Sequence, residues 1–450
     1  MSEPRRHLGA GAALSVVAQA GPLAAAAVLS IVLARTIGPS GNGRYVLLLT
    51  LVGLTSMVVS LGLHAGITFE VSRRRWSAGR AFRASYRMAL VLGLIGILVA
   101  FGFFLLTQHT VFSGISSSVA LLALASLPLT LAYEYGAAIL LARERYEQYT
   151  SLLVVHAFTL MLIGVGLVIP FGLPGAVAGI PASALIGSVM AAKLIRDEAA
   201  RDTVGDRGDS LGRAVRFGLQ SWGANLLQQV NYRLDVLILG GFATAAAVGV
   251  YSVALTLTSV AWILPQALQI VLFPRAAGLD ESALTGEVEV GESDETVAKA
   301  VRHGVLLTIP AGAAVAILLL VGIPLFYGPK FHQTIALGFI LLPGVLLLGV
   351  AKILGSVITG RGFPRYALYT AAVSVPLTLV LYFGLISQFD AWGAAVASCL
   401  SYAVGAILGV VFFRRVTGLG MRRAFVPTRD DLRDYGLAAK LARSRYARRR

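Results

Sequence analysis

Long apolar runs recur along the whole chain, each about the ~20 residues a helix needs to cross a ~30 Å hydrocarbon layer, with short polar gaps between them. They predict about twelve transmembrane helices, near 11–34, 45–67, 85–107, 115–141, 151–170, 174–194, 212–240, 246–273, 303–326, 332–358, 368–387 and 391–413. The gaps are sorted by charge. Of the 38 Lys and Arg residues, 33 lie at the two ends or in every second gap: Arg5 and Arg6, Arg73 to Arg87, Arg143 to Arg145, Lys193 to Arg216, Arg275 to Arg302, Arg361 to Arg365, and the tail from Arg414. The remaining gaps hold only Arg35, Arg44 and Lys330, while Arg233 and Lys352 fall inside spans. Basic gaps stay on the cytoplasmic side of a membrane. The pattern therefore predicts an all-α polytopic protein of the cytoplasmic membrane with both termini in the cytoplasm.

Composition excludes a soluble chain: mean hydropathy is +0.78, with 57% hydrophobic and 13% charged residues. The net charge of +16 sits in short loops and the tail, where anionic headgroups attract it. Anionic membrane lipids, not nucleic acid, are thus the expected charged partner. Cys399 is the one cysteine, so no disulfide within the chain is possible. The first apolar run is too long for a signal-peptide core and is followed by further spans, so no cleavable signal is expected. There is no Walker A run, no Cys/His metal spacing and no nucleophile elbow. Neither an enzyme nor a resident cofactor is expected.

A mixed-charge stretch, Arg196 to Arg213, separates six spans from six. The predicted organisation is an N-terminal lobe (1–195), a cytoplasmic linker (196–211), a C-terminal lobe (212–413) and a basic tail (414–450). Short matches relate the lobes. Gly43-x-Tyr45 and Gly249-x-Tyr251 end outer turns 206 residues apart; Arg143 and Arg361 open inner loops 218 apart; Gly175-Ala176-Val177-Ala178 and Gly393-Ala394-Ala395-Val396 open spans six and twelve, again 218 apart. An even number of spans per copy makes the repeat parallel, related by a pseudo-twofold along the membrane normal, with room for a cavity that opens alternately to either side. The acidic segment 279–300 reads as a solvated loop, and a short surface helix is predicted near Asp430 to Arg445.

Polar chemistry inside the spans concentrates in span seven. At 100° per residue, Ser221, Asn225, Gln228, Tyr232 and Asp235 share one stripe, flanked by Gln229 and Asn231. Lipid cannot satisfy these groups, which leaves a cavity lining or interhelical hydrogen bonding. Arg233 and Asp235 point ~200° apart, too far to neutralise each other simply. Arg233 reads either as a contact for phosphate or sugar acids or as an interface ion. Glu134 in span four and Lys352 in span ten are candidate coupling or buried ions, since charges at that depth are expensive. His64, Glu70 and His156 read as packed or interfacial.

Leu33-Ala34-Arg35-Thr36-Ile37-Gly38-Pro39 with Gly43-x-Tyr45, Arg233 to Gly240 followed by Val248-Gly249-Val250-Tyr251, and Leu272-Phe273-Pro274-Arg275 resemble the polysaccharide-transporter flippases of the multidrug/oligosaccharidyl-lipid/polysaccharide exporter superfamily. The resemblance implies two six-helix lobes and translocation of a polyprenyl-phosphate-linked glycan, with glycan-assembly enzymes as partners. Ser60-Leu61-Gly62 departs from it, standing where an acid often precedes Leu-Gly. Under this reading Asn225, Gln228, Gln229, Tyr232, Arg233 and Asp235 contact substrate, and Arg35 and Arg44 receive the head group at the outer turn or anchor that turn. An ion-coupled exporter of another solute is the alternative; a drug antiporter of the superfamily is disfavoured because span one holds only Gln19 as a sizeable polar group. A membrane-embedded glycosyltransferase would need acidic groups on substantial loops.

Overall fold

The computed structural model describes residues 4–200, 211–231, 233–262, 290–363, 365–428 and 431. Every regular element among them is helical: α1 (Pro4–Val59), α2 (Leu63–Ser72), α3 (Ala78–Thr107), α4 (Ser117–Leu124), α5 (Leu127–Ala142), α6 (Tyr146–Ala199), α7 (Leu211–Asn231), α8 (Leu234–Phe242), α9 (Ala245–Ser259), α10 (Val290–Ile317), α11 (Gln333–Gly360), α12 (Arg365–Thr417) and α13 (Met421–Phe425). Short 3₁₀ turns cover Val260–Trp262 and Pro329–Phe331, and α10 continues as a π-helical segment, Leu318–Tyr327.

Three helices each contain two predicted spans. α1 reverses at Gly38 (φ 68°, ψ −174°), α6 at Gly172 (φ 59°, ψ −136°) and α12 at Asp390 (φ 50°, ψ −129°). A left-handed residue turns the chain back on itself; glycine does this without steric cost, and Asp is among the few others that tolerate it. The arms of α6 then run against each other, a Cβ built on Gly179 standing 3.1 Å from Gly164 N. Eight helices among the described residues are long and apolar enough to cross a membrane. The three reversals, with span seven divided between α7 and α8, account for the other predicted crossings. Side chains such as Leu98 (75% exposed) and Leu106 (87%) leave a broad apolar surface uncovered. In water that surface would drive aggregation; in a multi-pass membrane protein it faces acyl chains.

The repeat is visible in the backbone. Gly172 and Asp390 are 218 residues apart, and the left-handed residues Glu144 (φ 58°) and Gly362 (φ 80°) share that offset. A Cβ on Gly175 would overlap the Leu167 carbonyl oxygen, and one on Gly393 that of Leu385. Both contacts again lie 218 apart.

One expectation needs correction. Span seven is not one helix over 212–240: α7 ends at Asn231, Arg233 adopts φ −126°, ψ −12°, and α8 starts afresh at Leu234. Asp235 therefore lies on a separate helix from Ser221, Asn225 and Gln228, and the 100° spacing no longer relates them. Most of the linker, the second half of span eight and the predicted tail helix lie outside the described residues.

The chain packs into two compact units. The first comprises Met1–Leu257, Leu319–Gly338 and Thr378–Ala397; the second comprises Thr258–Leu318, Phe339–Leu377 and Ser398–Arg450. The first has a core around Ile67, Trp76, Leu131, Tyr135, Leu140 and Ile195. Within it α2 lies on α7 with backbones almost touching. Cβ atoms on Gly62 and Gly66 would overlap the carbonyl oxygens of Gly218 and Ala214, and the Phe69 and Phe217 rings stack 4.1 Å apart. Gly62-x-x-x-Gly66 is the small-residue spacing that lets helices approach where no hydrophobic effect drives them together. Glu70, fully buried on α2, has Arg213 Nε at 3.5 Å and Arg75 Nη1 at 3.9 Å.

The second unit packs Val297, Val301, Ile353, Leu354, Val357 and Phe413 together. There the tail is pinned by charge. Arg302 (4% exposed) donates from Nε to Asp431 Oδ2 at 2.7 Å, from Nη1 to the Arg423 carbonyl at 2.8 Å and from Nη2 to Glu295 Oε1 at 2.9 Å. Thr428 donates to the same Asp431 oxygen through its backbone N–H and its hydroxyl, both at 2.8 Å.

Candidate functional site

The two predicted outer turns meet each other. A Cβ on Gly43 would overlap the Ala245 carbonyl oxygen, and one on Gly249 that of Pro39. Both pairings, Gly43 with Gly249 and Pro39 with Ala245, join positions 206 residues apart. The contact is thus reciprocal, as a pseudo-twofold requires. Asn42 Nδ2 donates to the Gly249 carbonyl at 3.2 Å.

Beside this seam is a cavity of about 140 Å³, walled by both arms of α1, by α6 and by α9. Leu29, Leu33 and Leu49 make it mainly apolar, while Asn42, Tyr45 and Ser252 add polar atoms. The two Gly-x-Tyr motifs differ here in a way that matters. Tyr251 Oη donates to Asp235 Oδ2 at 2.6 Å, both side chains being fully buried. At the position 206 residues before Asp235 stands Leu29, and the buried Tyr45 hydroxyl has no hydrogen-bond partner among the described residues. The carboxylate acceptor thus stands in one copy of the repeat and a leucine in the other, leaving a hydroxyl at the cavity wall.

The intramembrane ions follow the same rule. Glu134 on α5 accepts a 3.4 Å hydrogen bond from Ser56. Lys352, on α11, holds its ammonium 4.2 Å above the centroid of the Trp262 ring, a contact worth up to ~2 kcal/mol when desolvated. Trp262 is fixed by donating Nε1 to the Val345 carbonyl at 3.2 Å. Glu134 and Lys352 are 218 residues apart; Ser56 and Trp262 are 206 apart. These are the two offsets of the repeat. Each half therefore carries one ion on the same two matched positions, an acid on a hydroxyl in one and a base on an indole in the other. Sequence reading placed the two ions on corresponding helices but missed Ser56 and Trp262, which the 206 offset pairs.

The remaining predicted residues are placed as follows. The side chains of Asn225, Gln228 and Gln229 on α7, and Tyr232 entirely, lie outside the described residues. Arg233 is exposed at the start of α8. Asp235 is fully buried and bonds to Tyr251 and to the backbone N–H of Val236 (2.8 Å). Arg35 donates from Nε and Nη2 to the carbonyls of Phe326 and Leu325, both at 2.7 Å. Both carbonyls lie in the last turn of the π-helical segment. The half-buried Arg44 guanidinium packs on Gly114 (φ 74°), where a Cβ would collide with it. His156 stacks on Tyr133 at 4.1 Å and meets the Ser183 carbonyl at 3.1 Å, a packed role.

The Tyr251–Asp235 bond gives a direct test of α8 docking. Tyr251→Phe should lower stability by ~1.5–3 kcal/mol, the range for a hydrogen bond to a charged group, because a buried carboxylate oxygen loses that donor. A melting temperature equal to that of the parent protein would show that the bond contributes nothing.

The described residues thus form a multi-pass, all-α membrane protein whose halves carry matched turns and matched buried ions. The chain belongs to the polysaccharide biosynthesis protein family, whose profile matches residues 8–279. It is 29% identical over 175 residues to the "Probable low-salt glycan biosynthesis flippase Agl15" of Haloferax volcanii, covering 39% of this chain and 36% of that protein. It is 25% identical over 206 residues to the "Probable flippase AglR" of the same organism, covering 44% and 42%. The chain thus matches less than half the length of these relatives. Among solved structures it resembles an inward-facing multidrug resistance transporter of the MATE family (TM-score 0.71, 15% identity, 90% of this chain and 98% of that one). It also resembles the lipid II flippase MurJ in an inward closed conformation (TM-score 0.67, 12% identity, 90% and 89%). At such identities the likeness is one of fold.

Proposed function

We propose that the protein carries a lipid-linked oligosaccharide or polysaccharide precursor from the cytoplasmic to the outer leaflet of the plasma membrane by alternating access, with both termini in the cytoplasm. Family membership carries this reading, and the flippase names of both relatives, one of them a glycan biosynthesis flippase, support it. The physical fit is in the substrate's three parts. A polyprenyl tail stays in lipid beside the apolar surface. An anionic phosphate needs a cation, and the exposed Arg233 offers a planar fork of donors. Sugar hydroxyls need adaptable hydrogen bonds, which Asn225, Gln228, Gln229 and Tyr232 can give. The Tyr45 hydroxyl at the cavity wall adds one more.

The test is cellular. Deleting the gene should accumulate lipid-linked glycan on the cytoplasmic leaflet and deplete surface glycan. Arg233→Ala should reproduce the deletion at normal protein abundance, and Arg233→Lys should rescue only partly, since a point charge does not replace a bidentate fork. Unchanged leaflet distribution in the deletion strain, with no second flippase gene present, would reject the proposal.

A further inference from the structure

Within the first unit, two backbone contacts tie the second predicted span to the helices that follow the linker. One is the Gly43–Gly249 seam; the other is α2 on α7, where Gly62 and Gly66 meet Gly218 and Ala214. Along α1 and α2 the two contacts stand roughly 28 Å apart at ~1.5 Å per residue, close to the thickness of the hydrocarbon layer. Between them, Trp222 Nε1 donates to the Met57 carbonyl at 3.0 Å. The span is thus fastened near both of its ends.

The α2–α7 contact has a charge sealed beside it. Glu70 is 0% exposed, and neither of its carboxylate oxygens accepts a hydrogen bond from a described residue. Its countercharges are two guanidinium groups held at ion-pair distance. Arg213 Nε, from α7, stands 3.5 Å from Oε1, and Arg75 Nη1, just beyond α2, stands 3.9 Å from the same oxygen. These cations sit on the rim: the Arg213 side chain is 54% exposed and that of Arg75 36%. Arg73 adds a third guanidinium there, 4.5 Å over the Phe69 ring that stacks on Phe217. The carboxylate is therefore closed off while both of its partners remain open to an incoming anion.

We infer that Arg213 and Arg75 form an entry site for a phosphate-bearing head group, and that its arrival draws them off Glu70 and unlocks α2 from α7. Both guanidinium nitrogens lie within 3.9 Å of one oxygen atom, so a single phosphate can bridge them. The planar fork of arginine matches phosphate oxygens with paired, charge-assisted hydrogen bonds, which Glu70 does not receive in this structure. An arginine turned outward to phosphate leaves Glu70 buried without its countercharge, the costly state for any sealed ion pair that loses one partner. Water must then reach the carboxylate. The Gly62 and Gly66 contacts leave no room for it, so the helices have to part. That the phosphate belongs to the transported lipid rests on the proposed function, under which this rim faces the cytoplasm; the phosphate site itself does not.

Double electron–electron resonance reads the α2–α7 separation directly. Spin labels go on cysteines placed at the exposed Ser72 and Leu219, in the full-length Cys399→Ser protein in phosphatidylcholine nanodiscs. A single short distance is expected without ligand, and polyprenyl diphosphate should add a longer one, whereas polyprenol should not. Inorganic pyrophosphate producing the same population shows that the free anion is also taken; its failure beside a response to the lipid fixes the source as lipid-borne, and either result keeps the site. Glu70→Gln should hold the short distance even with polyprenyl diphosphate, because a neutral amide strands no charge. Arg75→Gln with Arg213→Gln should show the long distance with no ligand at all. No lengthening in the parent, equal lengthening by polyprenol, or lengthening that survives in Glu70→Gln overturns the inference. Equal lengthening by phosphatidylglycerol alone assigns the site to bulk lipid and overturns its entry role. If Glu70→Gln fails to fold, the double arginine variant decides: a short distance there overturns the lock. A normal response in a protein whose deletion leaves glycan export unchanged rejects the flippase reading and keeps the phosphate site; no response beside intact export-dependence does the reverse.

Discussion

Replacing Gly249 with leucine is expected to abolish most glycan export while the neighbouring helices still insert. The reason is geometric. Even a Cβ at this position overlaps the Pro39 carbonyl oxygen, and the next nearest atoms, Pro39 C and Gly43 N, are also backbone. No side chain can rotate away, so the seam itself must part. Overpacking a well-fitted contact costs about 1–3 kcal/mol, and more where backbone must move; each 1.4 kcal/mol is about tenfold in an equilibrium. Gly43→Leu should behave alike, because the contact is reciprocal. Gly166→Ala is the control: no atom lies within 4 Å of that Cβ, and alanine is the better helix former by ~1 kcal/mol. The measurements are surface glycan per unit of membrane-inserted protein and the melting temperature after purification. Gly249→Leu with parental values for both would show that the seam is not closed as described.

Arg302→Ala should release the C-terminal tail. Its guanidinium is 4% exposed and pairs with an Asp431 side chain that is 1% exposed, so truncation strands a buried carboxylate. Breaking such a pair from one side costs about 3–5 kcal/mol, and the alanine also leaves the Arg423 carbonyl without its donor. Limited proteolysis after residue 417 should become rapid, while the second unit's core keeps its melting temperature within a few degrees. Arg302→Lys should protect only partly, since one ammonium cannot serve Asp431, Glu295 and the Arg423 carbonyl in the same geometry. The pH dependence has a definite sign. Burial raises the Asp431 carboxyl, but hydrogen bonds from Arg302 and Thr428 outweigh it and hold it at about 2. A depressed acid contributes its stability above its unfolded value of ~3.9 and loses it as pH falls through the folded value. The latch should therefore be unaffected from pH 5 to pH 8 and open only in strong acid. Tail protection that is unchanged in Arg302→Ala would show that the ion pairs are incidental.

The sequence made some of this architecture plain because apolar length and loop charge are local quantities. Span boundaries and the duplicated unit needed only periodicity and counting, and the 206 and 218 offsets reappear in the backbone at Gly43 and Gly249 and at Gly172 and Asp390. What escaped was set by partners distant in sequence. Tyr232-Arg233 holds neither proline nor glycine, so nothing local marks the break between α7 and α8. The Arg302–Asp431 pair joins positions 129 residues apart. The Gly62–Gly66 spacing is a signal in the sequence, but its partners Ala214 and Gly218 are not. Among the candidate site residues, Glu134 and Lys352 were findable as ions in apolar runs. The hydrogen-bond partners of Arg35 and Asp235 are carbonyls and a phenol that no pattern announces.

The reversals at Gly172 and Asp390 also bear on how the chain is threaded into the bilayer. Each is a single left-handed residue between two apolar arms, so almost no polar segment has to be carried across the hydrocarbon. The arms meet as soon as both have emerged, with Gly175 against the Leu167 carbonyl in one and Gly393 against the Leu385 carbonyl in the other. Spans five and six, and spans eleven and twelve, can then be inserted as paired hairpins whose mutual contact at the turn needs no other part of the chain.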